Sequence, residues 1–265
     1  MKKEPYKLTR SFLMVMMMGC ALTTFAQVPV ITSFSPVSAK PRDVVTLTGS
    51  NFNVTANNNI VFFGTTRATV TAASATTVTV TVPSGATYAP ITLLNTVNHL
   101  AASSLRNFTP TYSPTKTAIN AGTFQAKQDF NSRAYVYSVV LGDLDGDNKL
   151  DLVIVNDSSN NVSVYRNTSS SGSIGSGSFA APIDFATGDK PTSVAIGDLD
   201  GDGKPELVVA NGGSTVSVLR NTATPGNIGM GSFAFKVNFF PGLNPSSVAI
   251  GDLDGDGKPE LAVAN

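Results

Sequence analysis

The feature that most constrains the fold is an acidic nonapeptide that occurs three times in the second half of the chain. Its copies run from Asp143 to Asp151, from Asp198 to Glu206 and from Asp252 to Glu260, at offsets of 55 and 54 residues. The flanking sequence repeats too, because the eight residues that begin at Ser193 recur unchanged from Ser247. A fixed period of this length indicates a tandem structural repeat whose units pack against their neighbours.

Each unit of this repeat offers four short apolar runs, which predict four β-strands and therefore a propeller blade. In the second copy we expect strands near Phe179–Phe185, Ser193–Ile196, Leu207–Ala210 and Val216–Arg220. The acidic loop then lies at the turn between the second and third strands of its unit. Two units and part of a third are present, so we expect an incomplete propeller that is a piece of a longer chain. Completion of the blades by another copy of the chain is the alternative.

The acidic loops are predicted to bind Ca²⁺, about one ion per repeat. Carboxylates at positions 1, 3, 5 and 9 repel one another unless a cation neutralises them, and hard oxygen ligands suit Ca²⁺. Position 6 is Gly or Asn, which tolerates the positive φ of a sharp turn. The position 7 lysine is expected to offer only its backbone carbonyl, with its ammonium in solvent. The predicted metal-binding residues are Asp143, Asp145, Asp147, Lys149 and Asp151, then Asp198, Asp200, Asp202, Lys204 and Glu206, then Asp252, Asp254, Asp256, Lys258 and Glu260.

Position 12 separates these loops from an EF-hand, which requires a Glu there and flanking helices. The three copies instead have Ile154, Val209 and Val263, each within an apolar run typical of a strand. A solvated acidic turn without metal is the alternative, and three copies with the same spacing argue against it.

The repeats resemble the FG-GAP/VCBS family, which includes the blades of integrin α-chain propellers and many bacterial surface proteins. The resemblance rests on the string Ser-Val-Ala-Ile-Gly-Asp-Leu-Asp-Gly-Asp-Gly-Lys-Pro-Glu-Leu, which starts at Ser193, and covers residues 122–265. Phe185 with Gly188 and Phe239 with Gly242 are similar to the Phe-then-Gly element of that family. The resemblance implies calcium ligation by the acidic loops and a role in adhesion or ligand binding.

Residues 27–110 show a different pattern, in which short alternating apolar runs are separated by turn residues. This spacing predicts a small β-sandwich. The strings Ile31-Thr-Ser-Phe34-Ser-Pro36 and Val44-Val-Thr-Leu-Thr-Gly49-Ser-Asn-Phe52 resemble the IPT/TIG immunoglobulin-like family, whose modules act mostly as spacers or binding units. Residues 111–121 are predicted to be a linker. The expected fold is all-β: an immunoglobulin-like β-sandwich followed by an incomplete β-propeller of two blades and part of a third.

Residues 1–26 are predicted to be a secretory signal peptide. Four basic residues precede an apolar stretch that is too short to span a bilayer, and Thr24-Phe25-Ala26 is a suitable cleavage sequence before Gln27. A lipid anchor at Cys20 and a retained N-terminal anchor are the alternatives. We therefore expect a secreted, extracellular or cell-surface protein with no membrane span in the mature chain.

The composition argues against several classes of function. Without the leader the chain has 14 basic and 17 acidic residues, so its net charge is near −3. This charge does not favour binding to the phosphate backbone of nucleic acid. Twelve of those acids lie in the three loops, and His99 is the only histidine. We therefore expect no catalytic activity, and an extracellular protein or glycan as partner. The alternative is an accessory region of a longer secreted enzyme whose catalytic domain lies outside this chain.

Two arginines recur with the repeat, in Val-Tyr-Arg166-Asn-Thr and Val-Leu-Arg220-Asn-Thr. They are predicted to be outer-strand residues that pair with neighbouring side chains. A ring of arginines that faces a ligand is the alternative.

Overall fold

The computed structural model describes residues 27–112, 126–132, 135–170 and 172–265. The predicted signal peptide with Cys20, and residues 113–121 of the predicted linker, lie outside the described residues. The described strands are β1 Val30–Ser35, β2 Ser38–Ala39, β3 Val44–Ser50, β4 Asn59–Phe63, β5 Thr66–Ala73, β6 Thr77–Thr81, β7 Ala89–Asn95, β8 Leu100–Pro110, β9 Val136–Gly142, β10 Asp151–Asn156, β11 Asn161–Tyr165, β12 Ile183–Ala186, β13 Pro191–Gly197, β14 Glu206–Asn211, β15 Thr215–Leu219, β16 Val237–Phe239, β17 Ser247–Gly251 and β18 Glu260–Ala264. The described helices are two short 3₁₀ turns, Ala56–Asn58 and Asp157–Ser159, so the chain is all-β as predicted.

The first eight strands form one continuous sheet in the order β1-β3-β6-β5-β4-β7-β8-β2. Strand β5 belongs to both layers of the predicted sandwich: residues 66–68 pair with β4, and residues 69–73 pair with β6. The register shifts between Val70 and Ala72, and an irregularity of this kind bends a strand. The two layers are therefore halves of a single sheet that folds over its own core.

Aromatic side chains fill the centre of this first domain. Phe63 on β4 and Phe108 on β8 are both 0% exposed, and their rings meet edge to face with centroids 4.7 Å apart. On β3, Val45 and Leu47 point inward while their neighbours do not, as the two-residue period of a strand requires. Full burial of each such side chain contributes about 1.5–3 kcal/mol to stability.

Strand β4 departs from this alternation because all five of its residues are buried. Val61 and Phe63 point into the domain core, whereas Ile60 and Phe62 form a second apolar cluster with Leu94 on the opposite face. A strand with an uninterrupted apolar run is typical of one covered on both sides. The outer face of this layer therefore has a partner of its own.

The repeats form two four-stranded sheets, β9–β12 and β13–β16, followed by the pair β17–β18. This matches the predicted two blades and part of a third. All six residues of β14 are buried because it packs on both sides. Leu207 and Val209 share a core with the first sheet, while Val208 and Ala210 pack with Val248 of the third.

The structure corrects the predicted grouping of strands into units. The run predicted as the first strand of the second unit, Phe179–Phe185, contributes β12, which is the last strand of the first sheet. Phe179 itself lies outside β12 and pairs with Asn167 as an isolated bridge. The register aligns Phe185 with Val162, and both enter the core between the sheets, so burial decides the pairing.

Sequence repeat and blade are thus out of phase by one strand. Each acidic loop consequently joins the first and second strands of its blade (β9–β10, β13–β14 and β17–β18), and not the second and third as predicted. The period of the sequence is the same in either phase, so the repeat alone contains no information on where a blade starts.

Candidate metal centres

Each acidic loop is a hairpin connection closed by the same backbone hydrogen bonds. In the first loop the N–H of Asn148 donates to Asp143 Oδ2 and the N–H of Leu144 donates to Asp151 Oδ2, both at 3.0 Å. The same two bonds recur in the other loops at 2.7–3.0 Å, from Gly203 to Asp198, Leu199 to Glu206, Gly257 to Asp252 and Leu253 to Glu260. Carboxylates at positions 1 and 9 are therefore held by the backbone of their own loop.

The sixth residue of each loop has the backbone conformation that its sequence predicts. Asn148 has φ of 65°, and Gly203 and Gly257 have φ of 82° and 83°. This left-handed conformation turns the chain back toward β10, β14 or β18, which brings position 9 beside position 1.

The turn gathers carboxylates from positions 1, 3 and 9 of each loop. One oxygen from each lies within 4.8 Å of the other two. The three sets are Asp143, Asp145 and Asp151; Asp198, Asp200 and Glu206; and Asp252, Asp254 and Glu260. Twelve carboxylates were expected at the loops, and nine of them belong to these sets.

The position 5 carboxylates lie beside these sets, and each accepts a hydrogen bond from the backbone N–H of position 7. Asp147 Oδ1 accepts the N–H of Lys149 at 2.9 Å, and Asp202 and Asp256 make the same bond to Lys204 and Lys258. The Lys149 and Lys258 ammonium groups lie 3.8 Å from the carboxylates of Asp147 and Asp256. The two lysine side chains are 41% and 66% exposed, so their ammonium groups remain in contact with solvent, as predicted, while they approach the loop acids.

Burial raises the pKa values of carboxylates in the first and second loops. Asp143, Asp145 and Asp151 are all buried. Desolvation by burial raises the pKa of Asp151 to about 7 and that of Asp143 to about 6, with a smaller contribution from neighbouring carboxylates. In the second loop the same cause raises the pKa of Glu206 to about 7 and that of Asp198 to about 6.

One oxygen in the first loop has no hydrogen-bond partner: Asp143 Oδ1 is buried and accepts nothing. An unsatisfied buried acceptor costs about 1–3 kcal/mol, and more when it is charged. A bound cation would remove this cost as well as the repulsion among the carboxylates. Because all the donors are hard oxygens, the residues present fit Ca²⁺.

Arg166 and Arg220 lie outside the acidic loops in sequence, but their side chains contact the loop acids. The sequence alone did not assign these partners. Arg166 Nε donates to Asp145 Oδ2 at 2.7 Å, and its Nη2 lies 3.6 Å from Asp147. Arg220 bonds Asp200 at 2.5 Å and Asp202 at 3.1 Å. The predicted pairing with neighbouring side chains is therefore correct, and the partners are the loop acids of the same blade. The predicted outer-strand position is wrong, because the two arginines directly follow β11 and β15, which are interior strands of their sheets. The available signal was the recurrence of both arginines 22–23 residues after the first loop acid.

Asn221 connects the first two loops. Its buried side-chain amide donates to the carbonyl of Pro205 in the second acidic loop and to the carbonyl of Leu144 in the first, both at 2.9 Å. The N–H of Gly226 donates to the carbonyl of Asp145, also at 2.9 Å. The second blade therefore holds the backbone of the first loop from outside.

Comparisons with known families match both halves of the chain. A model of the FG-GAP-like repeat matches residues 143–209 and 198–263, and a model of the IPT/TIG domain matches residues 29–112. No curated protein matches the chain in sequence. Within the described residues, no helix has the length and apolar character needed to cross a membrane.

Several solved structures align with most of this chain at low identity and low TM-score. An auxiliary nutrient binding protein from Bacteroides ovatus is 10% identical with a TM-score of 0.31, over 89% of this chain and 81% of the other. Another from Bacteroides thetaiotaomicron is 12% identical with a TM-score of 0.31, over 90% of this chain and 65% of the other. The extracellular region of plexin A4 is 11% identical with a TM-score of 0.27, over 89% of this chain and 21% of the other.

The two family matches and the strand topology agree with each other. Repeats and domains of these families are typical of extracellular adhesion or binding modules. The chain therefore joins an IPT/TIG domain to FG-GAP-like repeats, as its sequence predicts.

Proposed function

We propose that this protein is a secreted or cell-surface calcium-binding module that recognises an extracellular protein or glycan and has no catalytic activity of its own. The observation that carries the proposal is the threefold recurrence of one carboxylate set on one type of hairpin. The buried oxygen of Asp143 that lacks a partner supports a cation at the first of these sets.

The role of calcium follows from the position of the loops. The carboxylates at positions 1, 3, 5 and 9 would hold the ion together with the backbone carbonyl of the position 7 lysine. Asp143 directly follows β9 and Asp151 begins β10, so one ion would fasten the first strand of a blade to the second. Bound calcium supplies the positive charge that lets these acids approach, and each blade hairpin is thereby fixed.

Thermal unfolding tests this role directly. We expect the unfolding midpoint of the purified chain to rise clearly when millimolar Ca²⁺ replaces a chelator, because extracellular sites of this kind bind at roughly 10⁻⁴ to 10⁻³ M. Titration calorimetry is expected to show about three sites per chain. An unchanged midpoint together with an absence of binding heat would contradict the proposal.

A single substitution tests the assignment of the ligands. Asp200→Ala removes position 3 of the second loop, so we expect the calcium stoichiometry to fall by one site. Asp189→Asn changes an exposed acid outside the loops and serves as the matched control, with all sites retained. Equal stoichiometry in the two variants would reject Asp200 as a ligand.

Export is tested by expressing the whole chain in a bacterial host and sequencing the N-terminus of the product. We expect cleavage before Gln27 and a protein released from the cytoplasm. A product that starts at a lipid-modified Cys20 would replace secretion by lipid anchoring.

A further inference from the structure

The outer face of the IPT/TIG sheet is apolar and is covered by the acidic loops. Ile60, Phe62 and Leu94 are each less than 10% exposed although they point away from the core of their own domain. The groups that cover them include Gly201 and Gly203 of the second loop, whose backbones lie against Leu94 and Ile60. Gly201 and Gly203 belong to the repeats, so the repeats contribute to the burial of this face.

All three acidic loops contact the IPT/TIG domain through a backbone carbonyl. Ser84 Oγ donates to the carbonyl of Asn148 at 3.0 Å. His99 Nδ1 lies 3.2 Å from the carbonyl oxygen of Gly201 in the second loop. In the third loop the carbonyl of Gly257 accepts the N–H of Ala101 at 2.7 Å. These contacts join segments between 64 and 156 residues apart in the chain, and each is made to a backbone carbonyl oxygen of a loop turn.

The glycines at position 6 permit this approach. A Cβ at Gly203 would lie 2.3 Å from Ile60 Cδ1, and a Cβ at Gly257 would lie 2.8 Å from the carbonyl oxygen of Ala101. In the first loop, where the contact comes from a serine hydroxyl, position 6 is an exposed asparagine, Asn148. Glycine at this position therefore serves the docking of the domain as well as the turn.

We propose that calcium holds the IPT/TIG domain on the face formed by the three acidic loops, so that metal binding and domain docking are coupled. This inference rests on the proposed calcium binding. The carbonyls that the domain contacts belong to positions 4 and 6, which lie between the acids at positions 3, 5 and 9. When the cation is removed, repulsion among those acids displaces the same turns and the docking contacts are lost.

The coupling is reciprocal by thermodynamic necessity. If calcium favours docking, docking favours calcium to the same extent, although no residue of the IPT/TIG domain is a predicted ligand. The covered face is also closed to other partners.

Small-angle scattering and titration calorimetry on the purified chain test this inference together. We expect the radius of gyration to fall when Ca²⁺ replaces the chelator and to rise again when chelator is restored. Gly203→Asn introduces a side chain that the first loop tolerates at the same position, as Asn148 shows, but that collides with Ile60. This variant is expected to lose the compaction and to bind calcium about fivefold or more weakly at one site, which lies within the usual range of coupling energies.

Two further variants make the result specific. Gly255→Asn is the matched control, because Gly255 has φ of 80° and open space around its Cβ position. It is expected to compact as the unsubstituted chain does. Ile60→Ala combined with Gly203→Asn removes the collision and is expected to restore part of the compaction and of the affinity.

The outcomes separate this inference from the function on which it rests. Three calcium sites with no change in dimensions would overturn the coupling and leave calcium binding intact. The same holds if Gly203→Asn and Gly255→Asn behave alike in both measurements. Absence of any calcium binding would overturn both proposals, since docking would then have no metal to depend on.

Discussion

Arg166 places its Nε 2.7 Å from Oδ2 of Asp145, so a fixed cation lies against the third position of the first acidic loop. The carboxylate of Asp145 is fully buried, whereas the Arg166 side chain is 30% exposed. The Arg166 guanidinium therefore neutralises one buried charge in the first blade and opposes the entry of a second cation there.

Replacement of Arg166 by Gln is expected to act in opposite directions on stability and on calcium affinity. In chelator the buried Asp145 loses its charged partner, which lowers the free energy of unfolding by about 1–2 kcal/mol. In calcium the ion no longer competes with a neighbouring positive charge, so its affinity for the first loop rises. Calorimetric titration and chemical denaturation with and without Ca²⁺ measure the two effects.

The control for this variant is Arg106→Gln, which removes an exposed arginine of the IPT/TIG domain. Arg106→Gln is expected to change neither quantity. A loss of calcium affinity in Arg166→Gln would show instead that the guanidinium orients Asp145 for the ion more than it repels the ion.

Truncation of Asn221 to Ala is expected to weaken two calcium loops at once. The amide of Asn221 bonds the carbonyls of Leu144 and Pro205, which belong to successive loops. Its loss leaves two buried carbonyls without a donor and lowers the free energy of unfolding by about 2–4 kcal/mol. Calorimetry is expected to show reduced affinity at two sites of the three.

Asn167→Ala provides the comparison, because Asn167 bonds the carbonyl of Leu150 within its own repeat. We expect this variant to weaken one site only. If Asn221→Ala also weakens a single site, the hydrogen bond to Leu144 does not couple calcium binding at the two loops.

The raised pKa values of Asp151 and Glu206 predict the pH dependence of the calcium-free protein. Both pKa values are about 7 in the folded state because burial disfavours the charged form, whereas unfolded Asp and Glu titrate near 4. Between about pH 4 and pH 7 the folded state thus binds more protons than the unfolded state, so stability falls as pH rises. Asp143 and Asp198, with pKa values of about 6, act in the same direction.

Differential scanning calorimetry in chelator at pH 5 and pH 8 measures this effect, and we expect the higher midpoint at pH 5. In excess Ca²⁺ the order is expected to reverse, because the metal binds the deprotonated carboxylates and competes with protons. A midpoint in chelator that does not change between the two pH values would contradict the burial of these acids.

Local sequence was sufficient for the features that depend on short-range chemistry. The left-handed turn at Asn148 follows from its residue type, and the inward alternation of Val45 and Leu47 follows from the period of a strand. The gathering of Asp143 and Asp151 follows from a tight turn between them. Each of these features involves residues within about one loop or strand, where propensity and periodicity act directly.

The pairing of distant segments was not available from such patterns. Phe185 lies in the second sequence repeat, yet it pairs with Val162 of the first blade. Arg166 follows Asp145 by 21 residues, and the two meet only because β11 lies beside β10. Contacts of this kind depend on which strands become neighbours, and a repeat period is equally compatible with several phases.

The sequence by itself determined the all-β class, the two families and the three acidic turns, since all of these follow from local composition and spacing. Only the tertiary structure decided where each blade begins, which side chains surround each carboxylate set, and that Ile60 meets Gly203. The physical reason is that burial and desolvation depend on the surface that each segment finds in the folded chain. That surface is assembled from segments far apart in sequence, so the chemistry of the loops becomes specific only when the fold is complete.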